Sequence, residues 1–205
     1  MRAQSVAAAL RHAVSAGEYS PGEKLNEVAV AEKLGVSRNT LREGFAALAA
    51  DGIVDRIPNR GVFIASPTAA EILDLYRARA VIEPGALLWG DAPDVDALDR
   101  IVADAEVSSD SGASSSVALA NQAFHRTIVA AAGSALLNEE MDRLLARMRL
   151  VFLTVEQVRP ALHSDFVPVN RRIVELLRTG DRAGAAEALR ASLVETGDSL
   201  ATAAS

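Results

Sequence analysis

The sequence predicts a mainly α protein in two parts. The first is an N-terminal winged helix-turn-helix with a small β-hairpin wing, and the second is a C-terminal antiparallel α-helical bundle. Three observations carry that expectation. Half the residues are apolar but only 4% are aromatic, and Ala and Leu dominate, which favours helices. Gly35-Val36-Ser37 joins two short helical periods through a tight turn. The apolar period turns extended in one place, between Ile53 and Ala65.

Residues 4–16 read as a helix with Val6, Leu10 and Val14 on one face and Gly17 ending it. Ser20-Pro21-Gly22 is turn chemistry. Leu25-Asn26 opens the next helix, with Asn26 capping and Val28, Ala31 and Leu34 inward. Gly35 can take the left-handed conformation that stops it, and Ser37 is a favoured N-cap for the helix that follows. Leu41, Phe45 and Leu48 then define a buried stripe that ends at Asp51-Gly52. Ser37, Arg38, Asn39, Thr40 and Arg42 stand at the leading end, with Arg38, Asn39 and Arg42 off the stripe. Arg can bond guanine O6 and N7 together, Asn can do so with adenine N6 and N7, and a capping Ser can hold a phosphate. Ile53–Ile57 and Val62–Ala65 flank Pro58-Asn59-Arg60-Gly61, a hairpin whose tip offers Asn59, Arg60 and Gly61 to phosphate or the minor groove.

Ser66-Pro67 marks a boundary between residues 1–66, the winged helix-turn-helix expected to bind DNA, and 67–205, an all-helical domain. Thr68-Ala69-Ala70-Glu71 is a capping box. A long helix follows, with a kink expected at Pro84-Gly85, then a helix over 94–106. The Ser-rich run 108–116 reads as a flexible connection. Further helices are expected at 117–132, 136–158, 166–179 and 182–200.

Net charge is −6, but it is divided unequally. Residues 1–66 hold 8 Lys/Arg against 7 Asp/Glu, and the remainder 13 against 20. That asymmetry suits a DNA-touching first part joined to an acidic second part. There is no Cys, so disulfides and thiolate metal sites are excluded. No stretch reaches membrane-span length, and the expectation is a soluble cytoplasmic protein with no membrane role.

Several stretches resemble the N-terminal domain of GntR-family transcription regulators. They are Pro21-Gly22, Glu23-Lys24-Leu25-Asn26-Glu27, Leu34 through Glu43, Leu48, Asp51-Gly52 and Gly61-Val62-Phe63-Ile64. Gly44 departs from the usual Ala, at a cost of about 1 kcal/mol of helix stability. Arg79-x-x-x-Glu83, Asn121-x-x-Phe124-His125-Arg126-x-Ile128 and Asn170-x-x-Ile173 through Gly180-Asp181 are similar to the C-terminal domain of the FadR-type subgroup. The resemblance implies a homodimer whose bundle binds a small acidic effector. It also implies that many members hold a divalent metal with Asp or Asn, His four residues on, and two further His. Here the last two positions carry Asn170 and Ser192, poor substitutes for imidazole, so no metal and no cofactor is expected. Arg79, Asn121, His125, Asn170 and Ser192 then form a polar effector pocket without metal. Arg143, Arg147 and Arg149 read as surface charges, and His12 and His163 as unremarkable.

No triad, phosphate loop or carboxylate cluster with metal spacing is present, so an enzyme is not expected and no catalytic residue is assigned. The function expected is a transcription regulator, more readily a repressor. It would bind palindromic double-stranded DNA under control of a small carboxylate. The alternative is a helical sensor or scaffold whose winged helix contacts protein. Arg38, Asn39, Arg42 and Arg60 count against that, because protein-binding faces favour apolar anchors.

Overall fold

The computed structural model describes residues 3–15, 17–155 and 162–204. Its chain divides into two units, one of residues 1–67 with 146–154 and one of 68–145 with 155–205. The short segment 146–154 was read from sequence as part of the helical domain. Its Leu150 is buried in the same apolar cluster as Val6, Leu41 and Ile53, which is why it groups with the first unit.

In the first unit, helix α1 (Ala3–Ser15) buries Val6, Leu10 and Val14, the face its period predicts. Helix α2 (Glu27–Leu34) is capped by Asn26, whose side chain accepts from the Val28 and Ala29 amides. Its end is set by Gly35 at φ 63°, a left-handed position that costs glycine nothing. Helix α3 (Arg38–Ala50) lays Leu41, Phe45 and Leu48 into the core, each at most 1% exposed.

The sheet corrects the sequence reading. Lys24-Leu25 is a short strand, β1, rather than the start of a helix. It pairs antiparallel with β3 (Gly61–Ile64), which pairs on its other side with β2 (Val54–Ile57), giving the order β1-β3-β2. Two residues are too short to show alternation, so their strand character comes from the free edge of β3 and not from local pattern.

The second unit is an antiparallel bundle. Helix α4 (Ala69–Trp89) opens with the predicted capping box at Thr68 and Glu71. It continues unbroken through Pro84, where a kink was expected. The Ser-rich stretch is also mostly helical. Helix α5 (Val95–Asp110) and helix α6 (Ser114–Ala130) leave only 111–113 between them. Val102, Ala105 and Val117 are buried there, and burial outweighs the weak helix propensity of Ser. Helix α7 (Ala135–Val155) follows; the part predicted at 156–158 lies outside the described residues. A 3₁₀ turn (Leu162–Phe166) leads into α8 (Val167–Arg178), and α9 (Arg182–Ala203) closes the chain.

Two polar links tie the bundle together. Arg182 donates to the carbonyls of Leu87 and Gly90, satisfying groups left open where α4 ends. Arg171 of α8 pairs with Asp99 and Glu106 of α5. His163, unremarkable in sequence, is buried and meets Phe166 edge-on. Arg147 is half-buried, its guanidinium lying against the backbone of Gly52.

Gly197 sets the spacing of α4 and α9. A Cβ built there would sit 2.7 Å from the Cβ of Tyr76, closer than packed atoms tolerate. Gly197→Ala is therefore expected to destabilise the protein by about 1–3 kcal/mol despite Ala's better helix propensity. Thermal and urea denaturation measure this directly. A melting temperature equal to or above wild type would mean that α4 and α9 separate without cost.

Candidate nucleic-acid interface and effector pocket

The reading head is built by the cap that starts α3. Ser37 has extended backbone, φ −68° and ψ 152°, and its hydroxyl accepts from the Thr40 amide at 3.2 Å. It also lies 2.9 Å from the Thr40 hydroxyl. Arg38, Asn39 and Arg42 are all exposed, whereas Thr40 is half-buried. Asn39 donates to Glu43 at 2.9 Å, one turn on. Arg42 reaches across to Glu27 of α2 at 3.0 Å. Arg38 has no partner among the described residues and stands in solvent. Sequence reasoning missed both carboxylates, although the four-residue step from Asn39 to Glu43 was there to be read.

The wing tip is formed by backbone that side chains rarely adopt. Asn59 has φ 59° and Gly61 φ 115°, so the chain reverses between Ile57 and Gly61 within a single turn. Asn tolerates the left-handed region better than most residues. Arg60 lies over the Phe63 ring at 5.7 Å, and Lys24 of β1 lies over the same ring at 5.8 Å. The edge strand thus adds a cation beside the tip that the sequence reading did not include.

In the helical unit, Arg79, Asn121, His125, Asn170 and Ser192 come from four helices and line one narrow cleft, open to solvent, with about 20 Å³ of free space. Tyr76, Phe166, Leu193 and Thr196 complete its walls. The sequence reading brought the five polar positions together but left out Glu83, which organises two of them. Glu83 is fully buried, accepts from Arg79 Nε at 2.5 Å and lies 2.6 Å from His125 Nδ1. Arg79 is only 1% exposed and sits 5.0 Å from the Tyr76 ring, so it is a buried, paired cation and not the partly exposed one expected.

The electrostatics follow from that geometry. Burial alone would raise the Glu83 carboxyl, but Arg79 and then His125 reverse this and hold it below its usual range. Burial pushes the His125 imidazole down; the Glu83 carboxylate opposes that shift and Arg79 adds to it. Burial raises the Tyr76 hydroxyl to about 12, so it stays protonated. A carboxylate cannot donate, so the hydrogen between Glu83 and His125 sits on Nδ1. Neutral His125 then keeps a lone pair on Nε2. Asn170 donates its amide to the Asn121 carbonyl at 2.8 Å.

This donor set does not fit a transition metal. It offers one imidazole, and the Asn121 oxygen is already engaged by Asn170. Among the described residues no three His, Cys, Asp or Glu side chains converge as a metal site. Hard oxygen donors of this kind bind zinc or nickel poorly.

A winged helix with an Arg-Asn-Arg leading edge, followed by a helical bundle around a small polar cleft, defines a one-component DNA-binding regulator with its own ligand domain. The comparisons with known proteins agree. Residues 2–64 match the gntR family of bacterial regulatory proteins, and residues 74–195 match the FCD domain. The chain belongs to the GntR family, in its FCD-containing, FadR-like subgroup, and is a DNA-binding transcription regulator. It is 33% identical over 131 residues to an uncharacterized HTH-type transcriptional regulator in the TAR-I ttuE-ttuC' intergenic region of Agrobacterium vitis. That match covers 60% of this chain and 77% of the other. It is 26% identical over 198 residues to the HTH-type transcriptional repressor GlaR of Escherichia coli, covering 90% and 89%. A solved GntR transcriptional regulator from Rhodococcus sp. RHA1 superposes with TM-score 0.87 at 29% identity, covering 97% and 96%. No helix among the described residues is long and apolar enough to cross a membrane.

Two measurements test the buried cluster. Glu83→Gln leaves Arg79 buried without its counter-charge, and breaking such a pair typically costs about 3–5 kcal/mol. An unchanged urea midpoint would contradict the central role given to Glu83. The pH dependence has a definite sign. Both His125 and Glu83 are shifted downward on folding, so the unfolded chain binds more protons than the folded chain between the shifted and ordinary values. Stability present above pH 6.5 is lost as pH falls, first through His125 and then, below 4.5, through Glu83 as well. His125→Gln should flatten the first part of that decline. An equal decline in the variant would remove His125 as its source.

Proposed function

We propose that the protein is a homodimeric repressor that reads a palindromic operator and is controlled by a small carboxylate bound in the helical unit. Residues 1–66 serve as the DNA-binding domain and 67–205 as the effector and dimerisation domain. Arg38, Asn39 and Arg42 contact base edges in the major groove, and Ser37 and Thr40 hold the phosphate at the leading end of α3. Asn59, Arg60 and Gly61 bring the wing to the adjacent backbone or minor groove. A protein that acts on chromosomal DNA works in the cytoplasm. The relative named as a repressor, aligned over nine-tenths of the chain, supports the sense of control.

The observation that carries the DNA contacts is the exposed leading edge of α3, with Arg38 unpartnered at its tip. For the effector it is the cleft. The free space in the cleft, about 20 Å³, holds no more than a water molecule, so a small effector enters by moving the side chains that line it. Its carboxylate accepts from the free amide hydrogens of Asn121, from Ser192 and from the Arg79 side of the cleft. The His125 Nε2 lone pair calls for a hydrogen, which favours an acid that also carries a hydroxyl. Asn170 fixes the Asn121 amide so that its NH2 faces the ligand. No metal takes part, and the protein performs no catalysis.

Arg38→Ala and Arg42→Ala should each weaken specific DNA binding by about 1–3 kcal/mol, read by gel-shift titration on the protein's own promoter region. Unchanged affinity in both would remove α3 as the reading head. Effector binding, followed by thermal shift across a panel of small hydroxy acids, should survive EDTA and fall in His125→Ala and Asn121→Ala. A response abolished by chelator and restored by zinc or nickel would overturn the metal-free pocket.

A further inference from the structure

The outer face formed by α4 and α9 has a pattern that neither the reading head nor the cleft uses. Val81 is 74% exposed and Val194 44%. Between them runs a groove open to solvent, with about 430 Å³ of free space, Leu73 and Ala80 half-buried along it and the exposed Arg77 at its α4 side. Exposed aliphatic residues on both sides of an apolar groove are the usual signature of a surface that meets another protein.

The charges around Val194 say which protein. Arg190 lies four residues before Val194 and Asp198 four residues after, so all three share one face of α9. Both charged residues are exposed and both border the groove. Arg190 pairs only locally with Glu187, and the Asp198 carboxylate has no partner among the described residues. A two-fold axis through Val194 would lay a second α9 antiparallel across the first. Arg190 would then face the partner's Asp198, and Asp198 the partner's Arg190, around a centre of two valines. The same surface set parallel to itself would stack like charges. The sequence Arg–Val–Asp at this spacing is complementary to itself only in the isologous arrangement.

We propose that the α4/α9 face is the surface through which two copies of this chain associate, with α9 crossing its counterpart at Val194. This rests on the homodimer in the function proposed above and names where it is held. Val81 and Val194 form the apolar centre, and the two Arg190–Asp198 pairs set direction and register.

The chain has no cysteine, which makes a direct test simple. Val194→Cys in the full-length protein, oxidised mildly at micromolar concentration, should give a covalent dimer on a non-reducing gel. Leu119→Cys, on α6 and more solvent-exposed than Val194, should stay monomeric. In sedimentation equilibrium, Arg190→Glu and Asp198→Arg should each raise the dimer Kd by about tenfold or more, and the double reversal should restore it. Circular dichroism melts confirm that these surface variants fold. If wild type sediments as a dimer while Val194→Cys fails to cross-link and the reversals have no effect, this surface is wrong and the dimer stands. If wild type is monomeric with and without DNA, the dimer itself fails, and the groove belongs to a different partner.

Discussion

A carboxylate removed entirely from water keeps its charge only where cations and donors surround it. In the helical unit that condition falls on Glu83. Its two oxygens are divided between Arg79, one turn earlier on α4, and His125 of α6. The arrangement fixes several things together. It positions the Arg79 side chain beside Tyr76, selects the imidazole tautomer of His125, and leaves Nε2 as the group presented to the cleft. Removing Arg79 would strand the Glu83 charge in an apolar interior. That penalty exceeds the net worth of the pair itself.

The amide pair beside it answers a different need. Asn121 of α6 and Asn170 of α8 are bonded to each other. That bond uses one of the four amide hydrogens of the pair and leaves three, with the Asn170 carbonyl, for other partners. A guest bound there as proposed would be recognised by shape and hydrogen-bond pattern, with selectivity set by the cost of leaving any of these buried groups unmatched.

Much of this was legible in the sequence, for identifiable reasons. Asn26, Gly35, Ser37 and Thr68 are caps whose chemistry acts within one turn, so local residues suffice to place them. The stripe of Leu41, Phe45 and Leu48 repeats at helical spacing and lies in the core as expected. The misses share one cause: each depends on something distant along the chain. Lys24-Leu25 becomes a strand because β3, far on in sequence, offers an edge. Ser108–Asp110 and Ser114–Ser116 stay helical because neighbouring side chains on α5 and α6 are buried. Residues 146–154 pack with a unit whose other residues end far earlier in the chain. Glu83 was visible as a spacing of four from Arg79, but its burial was not, since the third member of the cluster lies 42 residues away.

The carboxylates of Glu27 and Glu43 also change what the leading edge of α3 does before it meets DNA. Arg42 and Asn39 are already engaged, and both partners carry the same charge as a phosphate. In the contact proposed above, a matching guanine or adenine edge would have to replace each of these bonds with a bidentate one. In that complex the internal pairs would act as placeholders whose loss costs the same whatever the base, so they would lower affinity without adding discrimination. The strength of the contact would then be partly set in the unbound protein, by side chains that never touch a base.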